Sequence, residues 1–146
     1  MLRRISGILM LSVMLTISGL QAQQKRSLTH DDYDGWENLS SDRITKNGIW
    51  VGYIISPQDG DGRLEILPFK DVSKKFVIPR AQGWNFTPDD TYAVGKIVPQ
   101  EDSIRFLKLK KTKKDDMPKD SLFIYEMKTG KLEKMAEVKS FAIPEK

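Results

Sequence analysis

A single histidine, two acidic turns and one lysine run are the features of this sequence whose residue types could do chemistry. His30 lies beside Asp31 and Asp32. A triad base needs a neighbouring nucleophile and an orienting acid. No Ser or Cys is set up near His30, so it reads as a solvated histidine. The alternative is a metal site of His30, Asp31 and Asp32, although consecutive side chains rarely converge on one ion. Asp59-Gly60-Asp61-Gly62 opens like a calcium loop. An EF-hand loop continues with further acidic ligands and closes on a glutamate. Arg63 stands where another acid is expected, so a hairpin turn is the better reading. Asp89 and Asp90 are turn residues, because an aspartate can bond its own backbone there.

The lysine run spans Arg105 to Lys119 and holds Lys108, Lys110, Lys111, Lys113 and Lys114, with Phe106, Leu107 and Leu109 at its start. It reads as a long solvated hairpin insertion. Its functional alternative is a contact for an acidic partner, an anionic membrane surface or a nucleic acid. Asn38-Leu39-Ser40 and Asn85-Phe86-Thr87 fit the N-glycosylation pattern. Asp102-Ser103-Ile104 and Asp120-Ser121-Leu122 resemble a bacterial O-glycosylation pattern. All four are short enough to arise by chance. No Gly-rich phosphate loop, metal-spaced histidine pair or dinucleotide fingerprint is present. The sequence therefore assigns no catalytic, cofactor-binding or metal-binding residue.

The elements that would carry these residues follow from length and pattern. The 146 residues suit one domain. There is no cysteine, which excludes disulfides, thiolate metal sites and cysteine nucleophiles. The net charge is +4, and Arg3 and Arg4 account for part of it. Without them the chain is close to neutral, which argues against general nucleic-acid binding. Arg3 and Arg4 precede an apolar run from Ile5 to Leu20, followed by Gln21-Ala22-Gln23. That is the plan of an export signal, expected over residues 1–22 with cleavage after Ala22. The run is short for a stable membrane span. The expected destination is the periplasm or the extracellular space.

Residues 23–39 read as a polar segment with a short helical turn. Tyr33 and Trp36 lie three apart on one side of it and are expected to plug an apolar edge. Strands and turns then alternate. Asn47-Gly48 is a turn signal, and Trp50 to Ile55 is a β-branched, aromatic strand. Arg63 to Leu67 alternates polar and apolar residues, and Lys75 to Ile78 is a short strand stopped by Pro79. The order then recurs. Trp84 to Asp90 matches the Arg43–Gly48 region, and Tyr92 to Val98 matches the Trp50 strand 42 positions on. Ser121 to Glu126 matches the Leu64 strand, and Leu132 to Ala136 follows a turn at Lys128-Thr129-Gly130-Lys131. A repeat of about 40–45 residues with four strands per unit is the mark of propeller blades. The expected fold is all-β: a partial β-propeller, with blade 1 at 40–82 and blade 2 at 83–137. Blade 2 contains the Lys-rich insertion 100–119, and 138–146 is the first strand of a third blade, cut mid-repeat.

Tyr33-Asp34-x-Trp36, Asn47-Gly48-x-Trp50-x-x-Tyr53 and Phe86-Thr87-Pro88-Asp89-Asp90-x-Tyr92 resemble the N-terminal propeller of exported prolyl oligopeptidase and dipeptidyl-peptidase IV-like serine peptidases. Lys114 to Leu122 and Val138 to Phe141 add to the resemblance. It implies an α/β-hydrolase domain after the propeller, and a propeller that shields the active site and filters peptide substrates by size. No serine here has glycine two places before and two after, so the nucleophile elbow is missing. The family's paired glutamates also have no match. The expectation is a non-catalytic piece with no cofactor, meeting peptides only in the intact enzyme and able to self-associate through exposed strand edges. The alternative is a stand-alone exported β-repeat module that binds or scaffolds.

Overall fold

The structure is a computed structural model that describes residues 26–144. The expected export signal at 1–22 lies outside the described residues. A short helix α1 (His30–Asp34) is followed by eight strands: β1 (Glu37–Ile44), β2 (Trp50–Pro57), β3 (Arg63–Pro68), β4 (Phe76–Pro79), β5 (Ala81–Phe86), β6 (Tyr92–Ile97), β7 (Ser121–Glu126) and β8 (Lys131–Met135). A second helix, α2 (Glu101–Leu109), and a 3-10 turn (Lys114–Asp116) lie between β6 and β7. The strands form two antiparallel four-stranded meanders, β1-β2-β3-β4 and β5-β6-β7-β8. Each is a plain up-and-down sheet, because every connection except the α2 insertion is a short turn.

The two sheets repeat at the level of hydrogen bonds. In the first, Thr45 N–H donates to Trp50 O (3.0 Å) and Gly48 N–H to Thr45 O (2.9 Å). In the second, 42 residues on, Thr87 N–H donates to Tyr92 O (2.8 Å) and Asp90 N–H to Thr87 O (2.9 Å). Both threonine hydroxyls accept from the amide five residues ahead, Trp50 and Tyr92. Gly48 and Asp90 share the left-handed conformation, with φ of 69° and 56°. The first strand of each sheet has a bulge at the same place, between Ser40 and Arg43 and between Gln82 and Asn85.

The core lies between the sheets. Ile54, Leu64, Ile66 and Ile78 of the first join Ala81, Trp84, Phe86, Ala93, Ile97, Phe123 and Tyr125 of the second in one buried cluster. Leu64, Ile66, Ile78 and Phe123 are fully buried. Burying such side chains contributes roughly 1.5–3 kcal/mol each, which neither sheet obtains alone.

Several expectations need correction. The first strand of the first sheet starts at Glu37, not at residue 40, and the second sheet starts at Ala81, not at residue 83. β1 is almost wholly exposed and its sequence, ENLSSDRI, does not alternate, so its pairing with β2 decides its conformation. Tyr33 and Trp36 do not plug an edge; they are 41% and 52% exposed and pack edge-to-face on each other at 4.8 Å. The Lys-rich insertion is not a hairpin: it opens with α2, because Glu101 to Leu109 lacks Gly, Pro and a β-branched run and places Glu101 and Asp102 in its first turn. Most of its lysines follow in the turn and the 3-10 turn after the helix. Val138 to Pro144 forms no strand; no partner strand for it lies among the described residues. Val138 N–H instead donates to Asp120 O (3.0 Å), and Lys96 Nζ donates to Lys139 O (3.1 Å).

Candidate functional site

The joint between the sheets is the most elaborate part of the molecule, and three contacts build it. At one end Asp90 reaches back to the turn of the first sheet, where its two carboxylate oxygens accept from Lys46 N–H and Asn47 N–H, both at 2.9 Å. The left-handed backbone at Asp90 aims its side chain at those amides. In the middle Trp84, from the bulge of β5, lies over Gly52 of β2. A Cβ on Gly52 would come within 2.4 Å of the indole, and a Cβ on Gly95 would come within 2.6 Å of Trp84 and 2.7 Å of Phe123. Only glycine leaves room for the indole over β2 and for the Trp84 Cβ and the Phe123 ring over β6. Phe76 stacks on Tyr125 at 4.2 Å. The Trp84 indole N–H is buried with no hydrogen-bond partner among the described residues, and the shape of the joint holds the ring. At the other end α2 docks on the Asp59–Gly62 turn. Asp61 accepts from Glu101 N–H (2.9 Å), capping the helix from the other sheet, and Arg105 donates to Asp59 (2.7 Å) and Glu101 (3.2 Å). The acids considered for calcium therefore fasten one sheet to the other. A hollow of about 470 Å³ lies beneath the helix, lined by Ile54, Ser56, Asp61, Arg80, Gln82 and Lys108 among others.

The remaining candidates do not converge. His30 is exposed in α1 and packs near Tyr33 at 5.8 Å. Among the described residues no three of His, Asp or Glu gather as a metal site would need. Asn38 lies in β1, and Asn85 lies in β5 with its side chain accepting from Phe86 N–H. Ser103 is in α2, and Asp120 holds Lys96 at 3.3 Å just before β7.

One arrangement escaped the sequence reading. On the face of the first sheet that points away from the second, Glu65 is buried with its side chain only 3% exposed. It takes Arg63 at 2.8 Å, Lys75 at 2.9 Å and the Tyr53 hydroxyl at 3.2 Å, and Arg63 also holds Glu37 at 2.6 Å. Burial pushes the Glu65 carboxyl up, but the bonds from Arg63 and Lys75 outweigh it and hold the group below its ordinary range. Burial, then Glu65 itself, pushes the Tyr53 phenol up. Strand register shows what this network replaces. Tyr53 pairs with Glu65 as Gly95 pairs with Phe123. Glu65 thus stands where the second sheet has buried Phe123, Tyr53 where it has Gly95, and Asp42 where it has Trp84. The apolar wedge of one sheet is a charged, internally neutralised cluster on the other. Aligning the two repeats by strand register would have found it.

The opposite outer face, on the second sheet, repeats the covered face of the first in part, with Val94 in the place of Gly52 and Lys96 in the place of Ile54. Leu122 and Ile124 occupy the places of Leu64 and Ile66. A shallow hollow of about 480 Å³ lies there, lined by Thr87, Tyr92, Val94, Ile124, Glu126 and Lys131 among others.

No family model matches the chain, and no curated protein matches it. Solved structures do. One is an acylaminoacyl peptidase in complex with Z-Gly-Gly-Phe-chloromethyl ketone, 17% identical, with a TM-score of 0.50 over 71% of this chain. Another is the β-propeller domain of the Trilobed protease from Pyrococcus furiosus, 16% identical, with a TM-score of 0.49 over 72% of this chain. The fold is a pair of β-propeller blades. The first blade is 37–79 and the second 81–135, stacked face to face as propeller blades are. The blade pair spans 14% of the acylaminoacyl peptidase chain and 29% of the Trilobed protease chain.

Proposed function

We propose that these blades are the N-terminal, non-catalytic propeller part of an exported serine peptidase of the prolyl oligopeptidase type. In the intact enzyme the propeller shields the active site and limits peptide substrates by size. The observation that carries this reading is the outer face of blade 2. Leu122 and Ile124 there repeat Leu64 and Ile66, which are fully buried against the neighbouring blade, so the face is built to receive a third blade. The fold shared with the acylaminoacyl peptidase, the sequence resemblance and the export-signal pattern point the same way. The blade pair alone is expected to hydrolyse no peptide, to bind no cofactor and to meet peptides only as part of the larger enzyme. Its destination is the periplasm or the extracellular space.

Sequencing the coding DNA beyond the Lys146 codon tests this directly. An open frame, or one restored by a single base change, that runs through further blades to a Gly-x-Ser-x-Gly supports the peptidase. A clean stop followed by unrelated sequence overturns it in favour of a stand-alone β-repeat scaffold.

A further inference from the structure

Helix α2 is fixed on one side and bare on the other. Arg105 and the Glu101 amide fasten it to the Asp59–Gly62 turn of blade 1, and Ile104 and Leu107 are partly covered. The opposite side carries Phe106 and Leu109, 55% and 78% exposed. Lys110, Lys111, Lys113 and Lys114 follow them in the chain, Lys108 lies at the rim of the hollow on the anchored side, and all five are exposed. None of the five is in an ion pair among the described residues, whereas Arg105 and Lys119 in the same segment are. The Lys110 ammonium sits 4.3 Å from the centre of the Phe106 ring. The segment Arg105–Lys119 holds seven Lys and Arg against two Asp, and so exceeds the net +4 of the whole chain.

We propose that α2 and the turn after it form a docking surface for an anionic lipid membrane. Two features together select this partner. The free lysines supply attraction to acidic headgroups. Phe106 and Leu109 are exposed beside them, with the Lys110 ammonium over the Phe106 ring, the pattern of a helix that lies in the headgroup region with its apolar residues inserted and its lysine stems reaching outward. A nucleic acid would use the lysines but gives an exposed leucine nothing to bury against. The anchoring of α2 makes the surface a fixed one, so docking holds the blades with this end toward the lipid. The inference rests on α2 alone and stands whether or not a catalytic domain follows.

The absence of cysteine allows a local test on the full chain. A Leu109→Cys variant takes one environment-sensitive fluorophore at the apolar tip, which separates this surface from the apolar run at 5–20. The label is expected to shift to the blue with phosphatidylglycerol-containing vesicles and not with pure phosphatidylcholine. Replacing Lys110, Lys111, Lys113 and Lys114 together with Gln should weaken the response at least about tenfold. Phe106→Ser should weaken it while the circular dichroism spectrum stays unchanged. A label that ignores anionic vesicles overturns the proposal, even if the chain sediments with them. So does tighter binding to duplex DNA than to vesicles, with Phe106→Ser without effect on either.

Discussion

Asp90 occupies a left-handed backbone position that its counterpart in blade 1 fills with glycine, and it is the only one of the two with a side chain able to leave its own turn. The Lys46 and Asn47 amides it captures point out of a tight turn and have no strand to bond to. Asp90→Ala should therefore destabilise the blade pair by about 1–2 kcal/mol, the usual range for losing charge-assisted bonds at a partly solvated site. The urea midpoint should fall while the slope of the transition stays the same. A second test at this scale concerns Glu65. Its folded-state pKa lies below the ordinary value of 4.5, so it contributes stability that is present above that value and is lost as the pH falls through the depressed one. The stability difference between the wild type and Glu65→Gln should stay constant from neutral pH down to about 5 and shrink below it. A difference that instead grows in acid would show that Glu65 is protonated in the fold.

Between elements, the inter-blade contact depends on size matching: a large ring on β5, a glycine facing it on β2 and another beside it on β6. Trp84→Ala should cost about 3–5 kcal/mol, the range for emptying a buried aromatic site. Gly52→Ala should cost about 1–3 kcal/mol, because the added methyl meets the indole and overpacks the joint. The two are coupled: in a Trp84→Ala background the Gly52→Ala change should cost close to nothing, since the ring it strikes is gone. Equilibrium unfolding of the four proteins of this cycle measures that coupling, and simple additivity would mean Trp84 does not lie over Gly52. The sequence makes β2, β3, β6 and β7 legible because they carry dense apolar or alternating patterns. It hides β1, whose exposed polar residues become a strand only through pairing with β2. It misleads over 101–109, where Glu101, Asp102, Arg105 and Lys108 read as solvated loop although their types also suit a helix held from outside by Asp59 and Asp61. Contacts such as Asp61 with the Glu101 amide, 40 residues apart, have no local signature.

At the scale of the whole molecule, the 42-residue period was enough to read the architecture, since turn residues and strand starts recur in step. What the period concealed is that the two blades are not interchangeable. Each has one face in the joint and one outer face, and although Leu64 and Ile66 recur as Leu122 and Ile124 on the outer face of blade 2, the indole recess and the turn clamp do not recur there. Val94 fills the place of Gly52, so the outer face of blade 2 has no recess for an indole. Pro88 stands where Lys46 offers its amide, so that turn cannot be clamped through both N–H groups as the first one is. Blade 1 in turn presents Asp42 and Gly48 where blade 2 presents Trp84 and Asp90. The joint thus works as a key that admits one order of blades. It leaves Tyr92 and Met135, 37% and 47% exposed, on the outer face of blade 2 around a centre of Val94 and Ile124. A face of this kind associates when nothing covers it. Purified chain should therefore self-associate at micromolar concentration, and Tyr92→Lys with Met135→Lys should raise the monomer fraction severalfold in sedimentation velocity while moving the melting midpoint little, because both side chains are already partly in water. If the double variant associates as strongly as the wild type, the contact runs along the open strand edges of β4 and β8 rather than across this face, and proline substitutions on those edges should then be the ones that release the monomer.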